Sequence, residues 1–193
     1  MAPSAPLIVD TSTRFWFRAL SAFFRGISGN LAEVLDAQSC REAWLQGEMF
    51  RWFRKHRQVG EFWTNAFSIS KRCNADIGAD TPFPMRGELK VLGANFGHKV
   101  LTGGALSPLL PHLHRPLTPT DGGLVRGPWG LLPDYFRLQK VPWSPGASRL
   151  LVMVAHIEKG ASGAVADALR LVTFSGTVRN LSFEWGFVRI WDV

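Results

Sequence analysis

Apolar positions at helical spacing open the chain. From Thr13 to Ser28, Trp16, Leu20, Phe23 and Ile27 share one face, which predicts an amphipathic first helix after a loose lead-in over residues 1–12. Asn30 and Glu33 have the spacing of a capping box and predict a short second helix in "NLAEVLDA". The same signature at Ser39 and Glu42 opens "SCREAWLQGEMFRWFRKHR", where Leu45, Met49, Trp52 and His56 fall on one side. Glu48 lies about 60° from the centre of that stripe, at the border of the buried face.

After "QVG" the period changes from helical to alternating. "EFWTNAFSISKR" reads as a half-buried strand and "RCNADIGAD" as a second extended segment. Pro82 and Pro84 force a turn, and "MRGELKVLG" follows as a third strand. Residues 94–130 are too rich in Gly and Pro for a regular element, and a loop of that length in a compact domain has a function or lacks order. Beyond it, "LLPDYFRLQK" predicts a helix with Pro133 in its first turn, "SRLLVMVAHI" a buried strand, "GAVADALRLVTF" a further helix, and "TVRNLSFEWGFVRIWDV" a strand or hairpin. No internal repeat is visible. The expected fold is one α/β domain with a mixed sheet over residues 39–193, preceded by a lead-in and helical extension over residues 1–38.

Composition narrows the class. Eight Trp and 14 Phe among 193 residues predict a heavily aromatic core. The net charge is +7, and 16 of the 22 basic side chains are Arg, whose planar fork suits phosphate, so nucleic acid is the expected partner. Arg51 and Lys55, interleaved with aromatics in "FRWFRKHR", and Lys71 and Arg72 are the candidate nucleic-acid contacts. Cys40 and Cys73 are too few for a disulfide framework or a zinc site. No apolar run reaches the roughly 20 residues of a membrane span, and no secretory signal is evident, so a soluble, intracellular, cytoplasmic protein is expected. The Arg-rich first helix has a second reading, as an organelle presequence or membrane-surface helix, although its spacing favours a core-facing one. His112 and His114 lack a third ligand nearby. The glycines of "GANFG" do not form a phosphate loop, and there is no Gly-x-Ser-x-Gly elbow.

Against the basic background, "NADIGADTPFPMRGELKVLG" concentrates Asp76, Asp80, Glu88 and Lys90 around a turn. On a strand Glu88 and Lys90 project together, and Asp76 and Asp80 share a face on the preceding segment. If the turn pairs positions whose numbers sum to an even value, all four lie on one surface. Converging carboxylates with neither Cys nor a His cluster select a hard cation, Mg²⁺ or Mn²⁺, and Mg²⁺ held by one or two carboxylates keeps positions open for water and phosphate oxygens.

This order of features, a helix with an inward-edge Glu, a strand, an Asp-bearing segment, a turn, Glu-x-Lys ending an apolar strand, a helix and a buried strand, resembles the PD-(D/E)xK nuclease superfamily over roughly residues 39–157. Glu88, Leu89 and Lys90 ("ELK") match the Glu-x-Lys hallmark. Asp76 matches the upstream acid, with Asp80 the other choice, and Glu48 matches the first-helix acid. The helix carrying Asp134, Arg137 and Leu138 resembles the one that covers the sheet. The resemblance implies a restriction-endonuclease-like fold in which Asp76, Glu88 and the Leu89 carbonyl ligate Mg²⁺ or Mn²⁺. Lys90 positions the attacking water, Glu48 supports the metal, and DNA cleavage leaves a 5′ phosphate. No Pro precedes either Asp, and the segment over 94–130 is longer than the usual connection. The alternatives are an inactive nuclease-fold module that binds nucleic acid or a partner protein, and an interaction protein with "ELK" on a solvated strand. A homodimer is a further expectation.

Overall fold

The computed structural model describes residues 11–36, 41–56, 59–70, 73–92, 102–104, 107–113, 115, 117–125, 127, 129–141, 146–156, 174 and 176–193. Among them, α1 (Thr11–Gly26), α2 (Ser28–Asp36) and α3 (Arg41–His56) precede β1 (Glu61–Ser70), β2 (Cys73–Thr81) and β3 (Met85–Leu92). Then come α4 (Leu131–Leu138), β4 (Ser148–His156) and the hairpin of β5 (Thr177–Phe183) and β6 (Gly186–Asp192). The six strands form one mixed sheet in the order β1-β2-β3-β4-β6-β5. Only the β3–β4 pair is parallel, and the chain passes through α4 between those two strands. The protein is therefore an α/β fold with a mixed sheet, as its pattern predicts.

Two apolar layers sandwich the sheet. On one face Leu45, Met49 and Phe53 of α3 pack with Ile77, Met85, Leu89 and Val152, and α1 and α2 add Trp16, Leu20, Phe23, Phe24, Leu31 and Leu35. The opposite face carries Leu92, Leu151 and Met153, covered by Leu131, Leu132, Tyr135 and Leu138 of α4 and by Leu109, Leu113 and Leu117. Strand alternation accounts for the division, since Leu89 and Lys90 must point to opposite faces. Gly87 is required where β3 is crowded: a Cβ there would sit 2.8 Å from an Ile77 side-chain carbon and 3.0 Å from the Leu150 carbonyl oxygen.

α1 is part of this core. Trp16, Leu20 and Phe23 are fully buried, the Trp16 indole N–H donates to the Phe83 carbonyl at 3.2 Å, and Ser12 and Ser148 hydroxyls meet at 2.8 Å. No described helix is long and apolar enough to cross a membrane.

Three expectations change. α2 begins at Ser28, so Asn30 lies within the helix instead of capping it. On α3, Phe53 is buried while Trp52 is half-buried and His56 exposed, which rotates the inward stripe away from the predicted line. Within 94–130, short 3₁₀ turns at Leu110–His112 and Pro119–Leu124 give local order, and Arg115 holds Asp121 with both arms at 2.9 and 2.7 Å. Ser39, Cys40, Lys71, Arg72, His114 and all of the helix expected over 163–174 except Phe174 lie outside the described residues, as does the Cys73 side chain.

Because Trp16 is fully buried against Phe53 of α3 and the turn at Phe83, Trp16→Ala is expected to cost about 3–5 kcal/mol of folding stability, measured by urea denaturation. A change under about 1 kcal/mol would mean that α1 is a detachable segment.

Candidate functional site

The backbone creates the site by parting two strands. β2 and β3 pair at Ala79–Met85, Gly78–Arg86 and Ile77–Gly87. Every pair sums to 164, so the same register sets Asp76 opposite Glu88 on one face of the sheet. The ladder stops there. Below it β2 continues only with β1, as far as Ser70–Cys73, and β3 only with β4, as far as Leu92–Ala155, leaving a notch between them. Asp76 bridges the notch: its Oδ2 accepts the Leu89 N–H at 2.8 Å in place of a backbone carbonyl.

Support for Asp76 comes from a bulge and a helix. Between Thr64 and Phe67 the β1 register shifts, and Asn65 adopts φ 53°, a left-handed conformation that Asn tolerates better than most residues. Its Nδ2 donates to Gln46 Oε1 at 2.9 Å, and Gln46 Nε2 donates to Asp76 Oδ1 at 3.2 Å. Both Asp76 oxygens thereby accept hydrogen bonds.

Glu88 and Lys90 meet partners from both sides of the notch. Arg137 of α4 grips Glu88 with Nε on Oε1 at 3.3 Å and Nη2 on Oε2 at 3.1 Å, and the same Nη2 donates to Asp134. Lys90 Nζ lies 3.2 Å from Asp134 Oδ2 and 3.2 Å from Glu42 Oε1, while Glu42 Oε2 also accepts the Val91 N–H at 3.4 Å. Glu42, Asp76, Glu88 and Asp134 thus face Lys90 and Arg137, a formal excess of two negative charges in a mostly buried network.

That excess registers in proton affinity. Burial, reinforced by the Asp76 and Asp134 carboxylates, pushes Glu88 up to about 8 against the pull of Arg137. Burial likewise raises Asp134 to about 6 despite Lys90 and Arg137, and raises Glu42 despite Lys90. For Lys90, burial favours the neutral amine, but Asp134 and Glu42 outweigh it and the net shift is upward. Among the described residues, no three His, Cys, Asp or Glu side chains form a ready-made metal centre. Arg137 bridges Glu88 and Asp134, and Lys90 bridges Asp134 and Glu42.

The structure brings together Asp76, Glu88, Leu89 and Lys90. It does not bring in Asp80, which pairs with Arg86 at 2.8 Å at the surface. Nor does Glu48 join them. It pairs with Arg51 at 2.8 Å and lines a separate cleft of about 370 Å³ with Gly26, Ile27, Asn30, Trp52, Lys55 and His56. The place expected for Glu48 is taken by Glu42, and Arg51 and Lys55 lie with Glu48 away from the notch. Sequence reasoning missed the roles of Glu42, Gln46, Asn65, Asp134 and Arg137. The i,i+4 spacing of Glu42 and Gln46 on α3 was the available signal for two of them.

The pH dependence follows from Glu88. Its folded-state proton affinity lies above the unfolded value of 4.5, so the penalty for ionising it is absent below pH 4.5 and fully present above about pH 8. The metal-free melting temperature is expected to fall by on the order of 5 °C between pH 5 and 8. Glu88→Gln should flatten the decline, and a parent melt that is level or rises over that range would contradict the assignment.

No family model matches the chain, and no curated protein or solved structure matches it.

Proposed function

We propose that the chain is a Mg²⁺- or Mn²⁺-dependent nuclease with a restriction-endonuclease-like core, acting on DNA. One observation carries the reading: Asp76, Glu88 and Lys90 meet at the notch where β2 leaves β3. The topology supports it, since α3, the β1-β2-β3 meander, α4 and the parallel β4 follow the expected order. The chain's +7 net charge suits a polyanion around a locally acidic site.

The donor set suits a hard divalent ion. Two carboxylates oppose each other across the notch, and with every acid ionised the network is two positive charges short. A strand residue directs its N–H and C=O toward the same neighbour, so the Leu89 carbonyl faces the notch with the N–H that Asp76 holds. Asp76, Glu88 and that carbonyl are the residues that would hold Mg²⁺, which needs only one or two protein carboxylates. When bound, the ion supplies charge neutralisation and a water of lowered pKa. Gln46 and Asn65 keep Asp76 oriented. Lys90, held by Asp134 and Glu42, presents a fixed ammonium that orients a nucleophilic water and offsets charge on the phosphate.

A second reading, an inactive nuclease-fold module that binds nucleic acid or a partner, is favoured by the two-armed hold of Arg137 on Glu88, which satisfies the carboxylate without a metal.

Incubation with labelled DNA and RNA in Mg²⁺ or Mn²⁺ separates the readings. Cleavage of DNA is expected, reduced roughly 100-fold or more in Asp76→Asn, Glu88→Gln and Lys90→Ala, with DNA binding retained in Lys90→Ala. Glu48→Gln should cleave within about threefold of the parent, because Glu48 lies outside the network. Absence of cleavage, with a melting temperature indifferent to either metal, would leave the binding module.

A further inference from the structure

Arg137 does more than neutralise. Its Nε and Nη2 take both oxygens of Glu88, and Nη2 also reaches Asp134, one turn earlier on the same helix. A two-armed guanidinium on a carboxylate occupies the lone pairs that a cation would use. The side chain is nevertheless one-fifth exposed, whereas Glu88 and Asp134 are almost wholly buried, so the grip can be released toward solvent while the carboxylates stay fixed. Asp134 supplies a perch, because it already shares Arg137 Nη2 with Glu88 and is held in turn by Lys90.

We propose that Arg137 is a resident surrogate cation that latches Glu88 in the metal-free protein, and that a divalent ion binds by displacing it onto Asp134. The inference rests on the metal reading of the site. Arg137 and the ion compete for one carboxylate, so each weakens the other by the same factor. Arg137 is a positioning residue: it keeps a buried Glu88 from standing unpaired before the metal arrives.

Calorimetric titration of the metal-free full chain with Mn²⁺ at pH 8.5 tests the exchange. Arg137→Ala is expected to bind Mn²⁺ about tenfold tighter than the parent, with Arg137→Lys, which keeps one positive charge without the fork, in between. Glu88→Gln should abolish the difference. Melting gives a second readout. The latch predicts that Arg137→Ala lowers the melting temperature of the metal-free protein and that saturating Mn²⁺ largely removes the deficit. An arginine with only a structural role would lower both melts equally. Should Arg137→Ala fail to fold, the affinity order of Arg137→Lys and the parent decides. Unchanged or weaker Mn²⁺ binding in a folded variant overturns the latch and leaves the metal reading intact, whereas no Mn²⁺ binding by parent or variants overturns both.

Discussion

The site depends on one hydrogen bond that replaces a rung of the sheet. Antiparallel strands hold together by exchanging backbone donors and acceptors, and a buried N–H left without a partner is costly. At Leu89 the partner is the Asp76 carboxylate instead of a β2 carbonyl. That exchange lets β2 and β3 diverge without an orphaned donor, and divergence opens the space that Glu88 and Lys90 border. An apolar residue at 76 would leave the Leu89 N–H unpaired or draw the strands together. The first outcome strands a buried donor in the notch, the second closes it, and both remove one of its carboxylates.

Around that notch the protein keeps more charge than stability asks for. Glu88 and Asp134 are each about 1% exposed, and each is tied to a cation. Buried pairs of this kind rarely stabilise a fold relative to well-packed apolar side chains, because desolvation cancels much of the attraction. The network also stops short of neutrality. Strongly displaced proton affinities on neighbouring carboxylates, arising here from burial and mutual repulsion, are common to functional sites and to buried structural ion-pair networks. Proton uptake, an additional cation or a basic ligand are the three ways to relieve the excess. The acidic cluster in a basic chain thus carries an electrostatic cost that any of the three would relieve.

Much of this was legible in the sequence, and the limits have specific causes. Strand alternation and an even register were enough to put Asp76, Glu88 and Lys90 on one face, since period two allows only two outcomes. The choice between Asp76 and Asp80 needed the place where the ladder ends, which side-chain pattern does not encode. Helix α3 shows a subtler limit. Glu42 and Glu48 lie about 60° to either side of Leu45, so both border the same stripe. Counting Trp52 and His56 as inward turned the stripe toward Glu48. Burial of Phe53 in their place turns it toward Glu42 and Gln46. Asn65 and Arg137 were out of reach for another reason, as a bulge and a contact 49 residues apart arise from tertiary structure.

The aromatic layer under α3 decides that rotation. Phe53 stacks on Phe62 of β1 with centroids 4.6 Å apart and on Phe23 of α1 at 6.1 Å, so its ring is clamped between the sheet and the first helix. Trp52, one residue earlier, leans on the end of α1, where a Cβ on Gly26 would come within 2.3 Å of its ring. Two adjacent aromatics in two different slots fix the helix about its own axis, because turning it by one residue would drive each ring into the wrong neighbour. Once Phe53 faces the sheet, Glu42 and Gln46 must point at the notch and Glu48 must point away from it. The aromatic helices that open the chain therefore do more than supply stability: through the angle of α3 they determine which carboxylate reaches Lys90.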